Sequence, residues 1–335
     1  MTPPSPTERT TMNGKPVHFR PAKTVLNMHS KFQDKLLCDG PTFSMGDACA
    51  YSCSFCYVPD MMRKAAYVPK DQPHANIVVR RENALEILRN QLRGLKDEVK
   101  AKPLVVYTSP LVDCAANMDL VRETVAACEL ILEQTWWHIR LLSKSNLLPK
   151  VAKLLLDSPV NQVSDVKCRL IFGVSTGTLN DDQAAAFEQG CPKVSKRIES
   201  LHWLQDEGFR TFGMICPSLP QRDYDTWAAE MALAIRAHRC EHVWAEVMNP
   251  RGAAMPQTVA ALHAAGYEWQ ADQLDLVSKD KDAREEYACQ TFRAHVPNYC
   301  DAHGPGQSRL RFLQYVTKAT RPWWQTQVSS GAILL

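Results

Sequence analysis

Cys49-Ala50-Tyr51-Ser52-Cys53-Ser54-Phe55-Cys56-Tyr57 is the stretch on which the reading of this chain turns. Its three cysteines stand at C-x3-C-x2-C spacing, just after a short apolar run that reads as a strand. A loop this short can point three thiolates into one hollow. Three thiolates suit three irons of a cubane [4Fe-4S] cluster, and the fourth iron is then left without a protein ligand. An open metal position is where an enzyme places a reactant. The competing reading is a structural zinc in a non-enzymatic binding module. Zinc takes a closed tetrahedral set of four, usually from paired motifs. The sequence offers no second pair, so Cys38 or a distant histidine would have to complete that set.

Moving outward, the chain has 335 residues, 45% hydrophobic and 22% charged, enough for a large buried core. Met1 to Gly14 is polar, with no apolar segment of the signal-peptide kind, and no run of about 18 apolar residues exists anywhere. The expectation is a cytoplasmic protein without a membrane anchor. Twelve cysteines in such a chain point to metal or catalysis more than to disulfides. The nine outside the motif (Cys38, Cys114, Cys128, Cys168, Cys191, Cys216, Cys240, Cys289 and Cys300) read as small buried hydrophobes. Net charge is +3 but unevenly spread: residues 1–36 and 302–335 each carry +4, leaving −5 for the middle. Basic ends on an acidic body suit an anionic partner at the periphery; solvated tails are the competing reading.

From about residue 40, β-branched runs alternate with amphipathic ones, the pattern of βα units on a parallel sheet. Strands are expected at 41–48, 103–109, 138–144, 169–176, 210–219 and 242–248. Helices are expected at 83–99, 119–134, 146–156, 191–207, 222–239 and 257–265. Six units in register predict a partial (β/α)6 TIM-type barrel, with the chemistry at the C-terminal ends of its strands. The expected division is a basic, partly disordered N-terminal arm at 1–36, the barrel at 37–270, and a C-terminal extension packing on it at 271–335.

The cysteine motif, on a loop after a first strand and followed by βα repeats, resembles the radical S-adenosylmethionine (SAM) superfamily. There SAM chelates the open iron, and an electron from the cluster cleaves it to a 5′-deoxyadenosyl radical. Within that superfamily, residues 40–300 resemble the spore photoproduct lyase family of DNA repair enzymes. The resemblance rests on CAYSCSFCYV, VVYTSP, LLSKSNLL, FGVSTGTLNDDQAAAFEQGCP, RIESLHWLQDEGFRTFGMICPSLP and AEVMNPRG, in that order. It implies that Ser109, Lys144 and Ser175, at three successive strand ends, hold SAM, and that Tyr57 lies on a radical-transfer path. A solvated lysine, turn serines and a packing aromatic are the competing readings. The chain departs from the family at Tyr107, where the family has its hydrogen-donating cysteine. Phe55 and Pro110 are further departures. Cys114, five residues past Ser109, is a candidate replacement donor beside the plainer reading of a loop cysteine. An external reductant such as flavodoxin or ferredoxin is implied as partner.

In the C-terminal segment, Arg309, Arg311, Phe312, Tyr315, Lys318, Arg321, Trp323 and Trp324 interleave basic and aromatic side chains, which suits phosphates and stacked bases. A helix packing its aromatics on the barrel is the alternative. The expected substrate is a nucleobase, a thymine derivative in DNA; a small metabolite or peptide is the other enzyme reading.

Overall fold

The computed structural model describes residues 11–12, 15–64, 78–108, 110–249, 252–299 and 308–335. Ser109 and Arg251 lie outside these.

Two sheets organise the chain. The smaller has four strands, β1 (Thr11–Met12), β2 (Lys15–Arg20), β5 (Gly46–Ala48) and β6 (Val78–Arg81), in the order β1-β2-β6-β5. The larger contains β3 (Leu26–Asn27), β4 (Thr42–Phe43), β7 (Val105–Thr108), β8 (His138–Ser143) and β9 (Leu170–Ser175). It continues through β10 (Arg210–Ser218), β11 (Val243–Val247), β12 (Leu310–Gln314) and β13 (Ala332–Leu334). Its order is β13-β12-β11-β10-β9-β8-β7-β4-β3. Every pairing from β4 to β13 is parallel, and β3 adds antiparallel to β4. The outermost strands do not pair with each other, so the barrel is partial.

Side chains alternate across this sheet with period two, as strand geometry requires. One face, with Val106, Ile139, Phe172, Ile215, Ala245 and Phe312, packs under the helices. The other, with Tyr107, Ile171, Phe212, Met214, Trp244 and Leu313, forms a separate inner cluster. Gly173 admits the Phe212 ring there: a Cβ at that position would lie 2.3 Å from the ring. The segment from Phe32 to Cys38 packs against this inner cluster, fixed by Trp244 Nε1 donating to the Lys35 carbonyl at 2.9 Å and Arg140 Nη1 donating to the Leu37 carbonyl at 2.7 Å.

All six expected strands are present in the expected order. The first differs in form: residues 41–48 split between the two sheets, because Arg20 and Arg81 both pair with the fully buried Asp47 and draw β5 into the small sheet. Part of the expected loose arm is β2, whose neighbour is β6. A helix at Asp181–Phe187, capped by Asn180, precedes the one expected at 191–207, which begins at Val194.

The largest difference lies at the C-terminus, where β12 and β13 continue the parallel sheet. Its aromatic and basic residues serve packing more than display. Trp324 is buried, stacks on Phe312 and donates to Glu285 at 2.6 Å. Arg309 caps the carbonyls of Ala237, His238 and Cys240. Lys318 and Arg321 remain exposed. No helix among the described residues is long and apolar enough to cross a membrane.

Candidate active site at the mouth of the sheet

The C-terminal ends of the strands carry the inner face's polar side chains, and the cysteine loop leads from the end of β5 to this mouth. The loop turns at Ser52, held at φ +53°, a left-handed conformation that non-glycine residues seldom adopt away from functional sites. It is braced by the segment after the Asp181–Phe187 helix. Cys53 forms an antiparallel bridge with Glu188, and Ser54 N donates to the Phe187 carbonyl at 2.9 Å. Gly190 N donates to the Tyr51 carbonyl at 2.8 Å. A side chain at residue 190 would meet the Tyr51 and Ala50 carbonyls at 2.8 and 2.9 Å, so only glycine permits the brace.

Beneath the loop sits an ion triad. Glu188, 1% exposed, takes Lys144 Nζ on one carboxylate oxygen at 2.7 Å and Arg197 Nη1 on the other at 2.5 Å. Lys144 Nζ also donates to Ser175 Oγ at 2.9 Å and to the Cys216 carbonyl at 3.1 Å. Burial opposes charge on Lys144 more than any single group favours it, but Glu188 together with Cys53 and Cys191 carries the pKa above the ordinary lysine value. Arg197 is raised in the same way. Asp113 fixes the strand end behind this group, accepting from Ser143 Oγ at 2.6 Å and from the Lys144 amide at 2.7 Å.

A second polar group adjoins the first through Cys216 and continues along the mouth at the ends of β10 to β12. Lys35 Nζ lies 3.3 Å from Glu246 Oε1 and 3.2 Å from the Tyr315 hydroxyl, which donates to the same carboxylate oxygen at 3.0 Å. The Cys216 thiol points at Glu246 Oε2 at 3.7 Å. Tyr107 is buried against Phe32. Burial raises its pKa well above that of a free phenol, and Tyr57, then Cys114 and Cys216, add to the rise. Tyr57 is partly exposed and donates to the Pro110 carbonyl.

The structure therefore brings Lys144 and Ser175 into direct contact beneath the cysteine loop, with Tyr57 and Tyr107 beside the Cys216 group. Cys114 lies behind Tyr107, close enough to add to the rise in its pKa. That residue is buried in the sheet–helix core, with its thiol on the Leu142 carbonyl. Glu188, Arg197 and Lys35 carried no assigned role in the sequence, although Glu188 and Arg197 stood in quoted motifs. Glu246 stood in the quoted AEVMNPRG, and Tyr315 in the basic–aromatic run read as a nucleic-acid or packing surface. No local signal marks Lys35, which comes from the segment read as an arm.

The donor set can be tested for its fit to a cluster. Three free thiols share one braced loop. Lys15 on β2 is buried facing them: burial lowers its pKa, while Cys49, Cys53, Cys191 and Cys56 pull it back up. A cation there offsets the negative charge of a thiolate-bound cluster. Burial, then Asp113, pushes the Cys49 thiol up to about 12, so a bound metal must supply the charge that holds a thiolate. Among the described residues, no three Cys, His, Asp or Glu side chains converge at single-ion distance. In kind and surroundings the residues fit the cluster.

With this geometry in place, comparison with known proteins becomes informative. Spore photoproduct lyase with bound dinucleoside spore photoproduct superposes with a TM-score of 0.52 at 14% identity, over 73% of this chain and 66% of that one. A variant of that enzyme with bound AdoMet and dinucleoside spore photoproduct gives a TM-score of 0.52 at 12% identity, over 73% and 66%. Over about three quarters of its length the chain therefore has the fold of spore photoproduct lyase. It spans slightly under two thirds of that enzyme's length. The uncharacterised protein ORF301 of Acidianus two-tailed virus is 22% identical over 187 residues, 56% of this chain and 58% of the viral one. No protein-family model matches. In (β/α) barrels generally the strand C-termini are where chemistry is placed, and both polar groups described above lie there.

Proposed function

We propose that the chain is a radical SAM enzyme that abstracts hydrogen from a nucleobase-type substrate, a thymine derivative in DNA. The observation that carries this reading is the contact of Lys144 with Ser175 directly beneath a braced three-cysteine loop at the strand C-termini. Cys49, Cys53 and Cys56 hold the [4Fe-4S] cluster. Lys144 would offer its ammonium to the SAM carboxylate, with Ser175 in contact with it; Ser109, the third residue the resemblance implies, lies outside the described residues. When bound, the cluster and SAM supply a 5′-deoxyadenosyl radical.

The protein's own residues do the rest. Glu188 holds Lys144 charged, and Arg197 on the other carboxylate oxygen fixes the Glu188 that aims it. Tyr107 stays protonated because burial raises its pKa, and with Tyr57 it presents a phenolic hydrogen beside the substrate. Glu246 offers an acceptor, and Lys35 and Tyr315 offer donors, to a polar heterocycle entering the mouth. Tyrosine at residue 107, where the family has its donor cysteine, favours modification or rearrangement over reversal of a photoproduct. The reductant is an external flavodoxin- or ferredoxin-type protein.

The decisive test is an anaerobic assay with SAM, reductant and an oligonucleotide deuterated at its thymine methyl groups. Deuterium should pass into 5′-deoxyadenosine. DNA binding should fall steeply with salt. Lys318→Ala with Arg321→Ala should flatten that slope by about 2, one per lost phosphate contact. Deletion of 304–335 is not a usable test, because it removes β12 and β13. Turnover of a free metabolite or peptide with no DNA present would replace this reading by the other enzyme class.

A further inference from the structure

Cys191 belongs to the set of scattered cysteines that composition marks as filler, yet it faces the cysteine loop. Its Sγ lies 3.6 Å from Cys53 Sγ, at van der Waals contact. Three features hold it there: the Cys53–Glu188 bridge, the Gly190 brace on Tyr51, and the Cys191 amide donating to the Glu188 carbonyl at 2.9 Å. Arg197 secures the next residue by donating from Nε to the Pro192 carbonyl at 2.8 Å. The backbone on both sides is thus tied, and the two sulfurs need to approach by only about 1.5 Å to reach bonding distance. Neither the cluster reading nor the SAM reading uses this fourth thiol.

We propose that Cys53 and Cys191 form a reversible disulfide in the metal-free protein, a thiol-oxidation site that locks the loop against cluster assembly. The oxidant is a small-molecule disulfide. Attack by one protein thiolate breaks the small molecule's S–S bond, forms a mixed disulfide and releases one small thiol. The second protein thiolate then displaces the other. Two protein S–H bonds are lost, one S–S bond forms, and the two electrons and two protons leave on two small-molecule thiols. The bond removes the middle cysteine of the motif, and Cys49 with Cys56 alone cannot hold the cluster. Iron on Cys53 blocks the disulfide in turn, so the lock acts before loading and not after it. The consequence for loading rests on the cluster assignment above; the disulfide itself does not.

The test uses the full-length protein, purified without metal and equilibrated anaerobically with oxidised glutathione. Free thiols are alkylated and the protein is cut with chymotrypsin, which cleaves after Tyr51 and Phe55 and so separates the three loop cysteines. A cross-linked peptide joining Cys53 to Cys191 is expected. Iron uptake on reconstitution should fall from about four per chain to near none, and dithiothreitol should restore it. Cys191→Ser should take up the same iron before and after glutathione treatment; Cys191→Ala serves if the serine variant does not fold. Pairing of Cys53 with Cys49 or Cys56, a mixed disulfide alone, or equal sensitivity in the Cys191 variant would overturn the proposal. A Cys53–Cys191 link in a protein that takes up no iron even when reduced would retain the site and defeat the cluster assignment.

Discussion

The two sides of the mouth are built on different charge plans. Under β8 and β9, Lys144 and Arg197 share one directly paired carboxylate, Glu188, so the triad itself carries one positive charge, with the Asp113 carboxyl behind it on the Lys144 amide. Under β10 to β12, Lys35 faces Glu246 one to one, with a neutral hydroxyl and a thiol completing the group. An excess cation held in place suits a ligand that brings a carboxylate. A balanced group rich in donors and acceptors suits a neutral heterocycle. The first side is also the more deeply packed and so the more rigid: Glu188 and Arg197 are 1% exposed and Lys144 14%, whereas Lys35 and Glu246 keep 22% and 13%. Fixed charge for the cofactor and adaptable polarity for the substrate is the division this contrast teaches.

Breaking the first side at its cysteines carries the largest expected effect. Cys53→Ala should abolish cluster retention, from about four iron per chain to background, and with it all SAM cleavage. The matching change across the mouth, Cys216→Ala, should leave iron content and substrate-free SAM cleavage intact. Iron analysis and 5′-deoxyadenosine quantitation check both. Full cleavage by Cys53→Ala would remove the cluster from that loop.

Next in size is the carboxylate of each side. Glu188→Gln leaves two buried cations without a counter-charge, and breaking a buried pair in this way costs ~3–5 kcal/mol. Glu246→Gln strands one partly solvated lysine and should cost no more than ~1 kcal/mol. Urea denaturation of both metal-free variants measures the difference. Equal losses would erase the proposed contrast in rigidity.

How much of this was legible in the sequence follows the same divide. The cysteine loop, Lys144 and Ser175 stand at strand ends inside contiguous motifs, where local pattern and period-two alternation suffice. Five of the six expected strands, and Thr42–Phe43 of the first, lie in the larger sheet in order for the same reason. The second side is assembled from residues 35, 246 and 315, far apart in sequence and brought together by closure of the sheet. Nothing local marks Lys35, which follows a proline-rich stretch, or Tyr315, which ends a strand hidden in a basic–aromatic pattern that reads equally as a nucleic-acid surface. Cys114 is near Ser109 in sequence, and its buried thiol donates to the Leu142 carbonyl.

Lys144 tests the excess charge directly. Lys144→Ala should weaken SAM binding by ~1.5–3 kcal/mol, the worth of a charge-assisted hydrogen bond. Lys144→Gln should recover little, because it restores a donor without the charge. Calorimetric titration of the reconstituted protein with SAM measures both. Unchanged affinity in the two variants would take Lys144 out of the site.

The smallest effect sharpens the other side. Tyr315→Phe removes the hydroxyl that donates to Glu246 and accepts from Lys35, while keeping the ring 5.6 Å from the ammonium. The cost in stability at neutral pH should be ~0.5–1.5 kcal/mol, that of one hydrogen bond. Its pH dependence has a defined sign. Burial, then Glu246, raises the Tyr315 pKa, and Glu246 with Tyr315 raises that of Lys35 against the opposing effect of burial. Groups raised by folding contribute fully below their unfolded pKa values, ~10 for both, and lose that contribution as pH climbs through the folded values. The wild-type protein should therefore weaken on the alkaline side, and Tyr315→Phe should weaken less over the same range. Denaturation at pH 7 and across pH 9 to 11 measures this, with SAM affinity followed in parallel. If SAM affinity moves with Tyr315→Phe, the two sides share one network and the division between a charged cofactor side and a balanced substrate side fails.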